Sequence, residues 1–216
     1  MFMSLSSRTR MVEPPAGVPA TPPAEFAVHG LHDPHRAAVE EFIRGIYERR
    51  YGAQVTHFAP WLVSLRRNGE LVAAAGYRNA ARDTLFLEHY LPAPVEVLLA
   101  GCAGTPVARE TIGEVGHLAA SRAGEGPQLI QRLAPHLAAE GFEWIVGTVT
   151  QELRKMLVRL GVVPLTLGAA NASALGADAA HWGSYYDHHP VVLACQLRLA
   201  LRHHLARRSK APGARK

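Results

Sequence analysis

The chain has 216 residues, 48% hydrophobic and 19% charged, with a formal net charge of +5. That length suits one domain with a substantial core, and no apolar run reaches the roughly 18 residues that a membrane span needs. Two cysteines, Cys102 and Cys195, make no disulfide framework, and the opening MFMSLSSRTRMVEPP lacks the apolar centre of a signal peptide; a cytoplasmic setting is expected. The basicity is local. Seven Lys/Arg and no Asp/Glu stand between Arg198 and Lys216, which leaves the rest of the chain at −2.

Residues 1–25 carry five prolines from Pro14 to Pro23 and few apolar groups, so they read as a disordered leader. The folded domain is expected over 26–198. Asp33-Pro34 forms an N-cap and first-turn pair, and Val39, Phe42, Ile43, Ile46 and Tyr47 follow helical spacing up to Gly52. Trp61–Arg66 and Leu71–Tyr77 read as strands joined at Asn68-Gly69, where both residues tolerate positive φ. The small run Ala73-Ala74-Ala75-Gly76 is either tight packing beneath the first helix or the floor of a substrate site.

Leu85–Leu91 places Glu88 and His89 inside an aromatic apolar run. If the run is buried, Glu88 needs a cationic partner or a raised pKa; Arg78, Arg82 and Arg109 are available. A helix is expected from Pro94 to about Ala100. The extended segment Ala108–Leu118 then leads into a glycine loop, Ser121 to Pro127. A helix follows to about Glu140, with Pro127 in its first turn and Pro135 expected to kink or split it. A strand (Phe142–Thr148), a helix (Gln151–Leu160) and a strand (Val163–Leu167) complete the stretch. A strand entering a glycine loop and then a helix is a place to hold phosphates, because loop amides and the helix N-terminus both favour negative charge.

This order resembles the cofactor half of the GNAT acyltransferase superfamily, with its pyrophosphate loop (Gln/Arg)-x-x-Gly-x-(Gly/Ala) and a later helix ending Leu-Gly-Phe. Gly124 and Gly126 match the loop glycines, and Leu160-Gly161-Val162 stands for the helix end. Ser121 replaces the usual first residue of the loop, with Arg122 one place late. Leu157 occupies the position of a tyrosine that is a common general acid. The resemblance implies an α/β (α+β) domain with a central, mixed, mostly antiparallel sheet, splayed and flanked by helices. It also implies Ser121, Arg122, Gly124 and Gly126 as the cofactor-binding residues.

Arg49-Arg50-Tyr51-Gly52-Ala53, Phe86-Leu87-Glu88-His89-Tyr90-Leu91, Glu114-Val115-Gly116-His117-Leu118-Ala119 and Trp182-Gly183-Ser184-Tyr185-Tyr186 look like the thermostable haemolysin family, over residues 36–197. The third of these is also similar to acyl-homoserine lactone synthases and N-acyl amino acid synthases, with Gly116-His117 where those have Ser-Arg. The likeness implies an acyl donor on a phosphopantetheine arm, of acyl carrier protein or coenzyme A, and a small amine or amino acid as acceptor. The family name implies the alternative, a membrane-active or lipid-binding protein on the same fold, for which the basic tail 199–216 supplies a weak membrane-surface contact. Leu197, Leu201 and Leu205 there allow a short basic amphipathic helix.

Acyl transfer to an amine needs a base for the ammonium proton and an acid or a water for the leaving thiolate. Glu114, on the strand before the loop, is the first candidate base and Glu88 the second. His117 lies three residues from Glu114, on the opposite side of a regular strand, unless a bulge at Gly116 turns both into one cleft. Tyr185 and Tyr186 are either substitute acids or pocket wall. The twelve histidines include adjacent pairs but no i, i+4 pair on a helix, so no metal site is expected.

Overall fold

A computed structural model describes residues 24–210. The leader expected over 1–25 therefore lies almost wholly outside the described residues. Seven strands form one sheet: β1 (Glu25–His29), β2 (Trp61–Arg67), β3 (Glu70–Asn79), β4 (Ile112–Ala120), β5 (Trp144–Val149), β6 (Leu165–Ala169) and β7 (Val191–Gln196). Their order is β1-β2-β3-β4-β5-β7-β6. Every neighbouring pair is antiparallel except β4 and β5. Five α-helices accompany them: α1 (Arg36–Tyr51), α2 (Val95–Ala103), α3 (Glu125–Ala139), α4 (Gln151–Arg159) and α5 (Leu197–Lys210).

Alternation along β2 and β3 builds two faces. Val63, Leu65, Ala73 and Ala75 pack with Leu129, Leu133 and Leu137 of α3. The intervening Leu62 and Ala74 pack with Val39, Ile43 and Tyr47 of α1. Small side chains at 73–75 let both helices approach the sheet, which is the packing reading of the alanine run. A third cluster sets Leu87, Val95 and Leu99 on Ile112, Val146 and Val192. The Asn68-Gly69 turn has φ of 51° and 79°, the double positive φ that suits a two-residue hairpin.

Several boundaries differ from expectation, each for a local reason. Helix α1 begins at Arg36 rather than at Pro34. The Asp33 carboxylate accepts the His35 N–H at 2.7 Å, a local turn that uses up the cap. Helix α3 begins at Glu125, so Pro127 is its third residue, still within the turn whose N–H groups have no helical partner. The helix runs unbroken through Pro135. Pro135 and Gln131 are both exposed, so the carbonyl that the proline leaves unpaired meets water. The segment before β4 opens with a short 3-10 turn, Arg109–Thr111.

Strand β1 was not anticipated. It is a short edge strand whose apolar residues, Phe26 and Val28, pack beside the α3 cluster. At the other end, α5 begins inside the domain. Leu197 is buried and Leu201 packs against the same cluster, so the basic tail is not separate from its first residue onward. No helix among the described residues is long and apolar enough to cross a membrane.

Candidate active site

The site is built around an irregularity in β4. Ala74 pairs with Ala119 and Gly76 with Gly116, so two steps on β3 face three on β4. The extra residue makes a bulge, which falls at His117 rather than Gly116: His117 has φ of 54°, a conformation rare for a non-glycine residue. Glu114 and His117 would point to opposite sides of a regular strand. With the bulge, both line one cavity of about 360 Å³. Gly76 makes room for the displaced imidazole, since a Cβ there would stand 3.1 Å from His117 Nδ1.

Beyond the bulge the sheet opens. Parallel pairing of β4 with β5 covers only Ile112–Glu114 against Trp144–Val146. Where pairing ends the backbones still touch: a Cβ on Gly147 would lie 2.5 Å from the Val115 carbonyl oxygen. From there the strands part around a larger cavity of about 730 Å³. It reaches Tyr47 and Tyr51 of α1 and Leu133 and Leu137 of α3, helices on opposite faces, so it passes through the gap in the sheet. The two cavities share Tyr47, Val115, Gly116, His117, Thr148 and Tyr185 as walls and therefore meet at the bulge.

All four loop residues, Ser121, Arg122, Gly124 and Gly126, line the larger cavity. Gly124 caps α3 with φ of 93°, where any other residue is strained. Gly126 is buried, and a Cβ there would make only ordinary contact with Ala120 and Met156 at 3.7–3.8 Å. Ser121 is committed to the fold, because its N–H and its hydroxyl both donate to the Val72 carbonyl, at 2.9 and 3.2 Å. Arg122 is exposed. Arg50, Lys155 and Arg159 also line the cavity, and Arg50 is paired with Glu152.

Glu114 is buried on β4. Its two carboxylate oxygens accept the backbone N–H groups of Phe86 and Leu87 at 3.0 and 2.9 Å, and Arg78 stands 3.3 Å away. Burial raises its pKa above the usual range, against the lowering effect of the Leu87 amide, the Arg78 charge and the Phe86 amide. Burial pushes His117 down to about 4, assisted by the Arg78 charge, so the imidazole is neutral at pH 7. Its Nδ1 is enclosed with no hydrogen-bond partner.

Glu88 stands apart. It sits in a 3-10 turn, Phe86–Tyr90, with its carboxylate on the Arg109 guanidinium at 2.7 and 2.8 Å and on the Val95 N–H at 3.1 Å. The Arg109 hydrogen bond holds its pKa below the usual range. It lines neither cavity. Of the three cationic partners available in the sequence, Arg109 is the one used, and Arg78 serves Glu114 instead.

Sequence reasoning did not find Arg78 or Thr148 as site residues, and left Tyr185 undecided. Arg78 and Glu114 are register partners on β3 and β4, a relation that only the strand pairing reveals. Among the described residues no group of three or more His, Cys, Asp or Glu is placed to hold a metal ion.

A mixed seven-stranded sheet that splays between two parallel strands, with a glycine loop at the mouth of the gap, is the GNAT-like acyltransferase fold. Solved structures similar to it have that fold. FeeM, an N-acyl amino acid synthase from uncultured soil microbes, is 15% identical with a TM-score of 0.60, covering 88% of this chain and 100% of its own. BjaI, a CoA-dependent acyl-homoserine lactone synthase solved with MTA, is 14% identical with a TM-score of 0.60, covering 88% and 92%. The AHL synthase LasI is 14% identical with a TM-score of 0.56, covering 82% and 93%. The family model described as Thermostable hemolysin matches residues 29–201, and the chain belongs to that family. No curated protein matches it in sequence.

Proposed function

We propose that this protein is an N-acyltransferase, moving an acyl group from a phosphopantetheine thioester of acyl carrier protein or coenzyme A to a small amine or amino acid. One observation carries the reading. The gap between β4 and β5 leads from the loop at Gly124 and Gly126 to a junction with a second cavity that holds Glu114 and His117. A long arm threaded along the gap brings its end to where an acceptor in the second cavity can attack. The structural neighbours, synthases of N-acyl amino acids and acyl-homoserine lactones, support the same reaction class.

In this scheme the α3 N-terminus and the loop amides hold the phosphates, with Arg122 beside them. The acceptor arrives as an ammonium ion. Glu114 attracts the cation and takes its proton, directly or through water; Oε2 is shared by the Phe86 amide and Arg78, while Oε1 accepts the Leu87 amide and keeps a second lone pair. His117, uncharged, lies at the junction as a second proton acceptor. Glu88 acts through Arg109, by fixing the turn that supplies two amides to Glu114, and is the weaker candidate for the base. Phe86, Tyr90 and Trp182 wall the acceptor cavity and suit an amine bearing an apolar or flat group.

The test is to incubate the purified protein with acyl-coenzyme A and acyl-carrier thioesters against a panel of amines and amino acids. Amide product is read by mass spectrometry and free thiol by colour. Amide formation with matching thiol release is the expected result. Absence of product across the panel sinks the reading.

A further inference from the structure

Resting on that reading, we propose that Tyr185 is the general acid of the transfer, giving its phenolic proton to the sulfur of the leaving thiol. The need for a replacement acid is local. Helix α4 lines the larger cavity with Leu153, Met156 and Leu157 beside the charged Glu152, Lys155 and Arg159, but none of its residues lines the second cavity, so it brings no acid to the junction. The thioester sulfur has to lie where donor and acceptor cavities meet, among residues that line both.

The junction is marked by unsatisfied polar groups. His117 Nδ1 and Thr148 Oγ1 are both buried with no hydrogen-bond partner, and both residues line both cavities. Buried polar atoms without partners are uncommon in folded proteins and point to a missing ligand group. The Tyr185 hydroxyl comes to the same place, donating to the Thr148 carbonyl at 3.3 Å. That is long for an O–H···O bond, so exchanging the carbonyl for a thiolate costs little.

Tyr185 is also held rigidly. Its ring stacks on Tyr47 with centroids 6.5 Å apart, and meets Tyr51 edge-on at 5.2 Å and Trp182 at 5.5 Å. The segment carrying it is pressed onto the end of α1: a Cβ on Gly183 would lie 2.0 Å from the Tyr51 carbonyl oxygen. Burial keeps its phenol protonated well above neutral pH, the form an acid needs. Tyr186 lines neither cavity, and Tyr90 lines only the acceptor side. Tyr47 lines both, but among the described residues its hydroxyl makes no hydrogen bond to β5.

The step balances as follows. The deprotonated amine forms a C–N bond at the thioester carbonyl carbon, and the C–S bond breaks with its electron pair going to sulfur. Tyr185 supplies the proton that makes the free thiol. The ammonium nitrogen gives up two protons on its way to the amide: one passes through the base to bulk water before attack, and the second, shed once the C–N bond has formed, returns to the phenolate through the base and water, so the products are amide, thiol and one proton in solution.

The experiment compares Tyr185→Phe with wild type on two donors carrying the same octanoyl chain. One is octanoyl-coenzyme A; the other is an octanoyl aryl thioester, whose far more acidic thiol leaves without a proton. Amide formation from octanoyl-coenzyme A should fall by roughly 10²-fold or more, while the aryl thioester reacts within about threefold of wild type. Tyr77→Phe, at a tyrosine that lines neither cavity and whose hydroxyl bonds His136, should match wild type on both. Full activity of Tyr185→Phe with octanoyl-coenzyme A, or an equal loss on both donors, overturns the proposal. If Tyr185→Phe does not fold, trifluorotyrosine at position 185 replaces it, and its more acidic phenol should pull the alkaline limb of the rate profile to lower pH. An unmoved limb also overturns the assignment. A wild-type protein that makes no amide from any donor overturns the acyltransferase reading itself, which is a different result from an active wild type with an unaffected variant.

Discussion

Arg78 and Glu114 face each other across β3 and β4 as register partners, with Nε of the guanidinium 3.3 Å from the carboxylate. The pair sits on the wall of the smaller cavity, where burial raises the carboxyl pKa and the arginine holds it down. The net effect is a raised pKa, so the carboxylate is more basic than one in water. Those properties suit a group that first attracts an ammonium ion and then takes its proton.

Glu114→Gln keeps size and hydrogen bonding but removes that basicity. The acyl-transfer rate should fall by roughly 10²-fold or more, with thioester affinity near wild type by calorimetric titration. In the wild type the rate should rise with pH through the raised Glu114 pKa, because the base works deprotonated. Glu88→Gln should behave differently, losing stability through Arg109 while a correctly folded fraction keeps its turnover. The opposite pattern, with Glu114→Gln fully active and Glu88→Gln not, makes Glu88 the base.

The glycine loop gives a prediction that separates binding from folding. At Gly126 a Cβ meets Ala120 and Met156 at ordinary contact distances, so Gly126→Val should fold. Its methyls then occupy the cavity where the pyrophosphate is expected. Titration with coenzyme A should show lost affinity in a folded variant; unchanged affinity removes the loop from the donor site. Gly124→Ala should differ, since φ of 93° strains any side chain by about 1–2 kcal/mol. Its thermal midpoint should fall as well.

The splay point has its own test. Gly147 lies where a Cβ would meet the Val115 carbonyl oxygen at 2.5 Å, and neither backbone can yield without breaking the β4–β5 pairing. Gly147→Ala should cost roughly 1–3 kcal/mol by denaturant titration. A neutral substitution means the two strands are farther apart than this geometry.

How much was legible in the sequence follows from how local each feature is. The α3 stripe, the Asn68-Gly69 turn and the loop-to-helix order are encoded within a few residues, and all were readable. Glu114 and His117 were readable as residue types. Their convergence depends on a bulge that needs β3 alongside β4 to define it, and it fell one residue later than glycine alone suggested. Arg78, Thr148 and the placement of Tyr185 depend on strand pairing and on a run of short 3-10 turns (Ala172–His188), broken at Gly176 and Gly183, that packs on α1. No period or motif signals such contacts. Strand β1 was missed because its alternation spans only Phe26 and Val28, too short to stand out from a proline-rich neighbourhood.

The basic tail should be dispensable for catalysis. A chain ending at Leu201 keeps Leu197 and Leu201, which pack on the α3 cluster, and loses six of the seven basic groups. Acyl transfer should persist within about threefold. If transfer and binding to anionic vesicles disappear together, the tail has a membrane role that the acyltransferase reading lacks.

His117 should leave a mark on stability as well as on rate. Its pKa is pushed from 6.5 down to about 4 by burial and by the Arg78 charge, so between those values the unfolded chain binds a proton that the folded chain does not. Stability rises with pH wherever the unfolded state holds more protons. The contribution is therefore complete above pH 6.5 and is lost as the pH falls toward 4. Denaturant midpoints measured from pH 7 to pH 4 should decline in the wild type. In His117→Gln, which keeps a polar group on the bulge but cannot titrate, the part of the decline that lies between pH 6.5 and 4 should be smaller. Glu114 has the opposite sign, since its raised pKa favours the folded state at low pH, and Glu114→Gln should steepen the same decline. If His117→Gln reproduces the wild-type slope, the imidazole is not buried in its neutral form at the junction, and its part in receiving the acceptor proton falls with it.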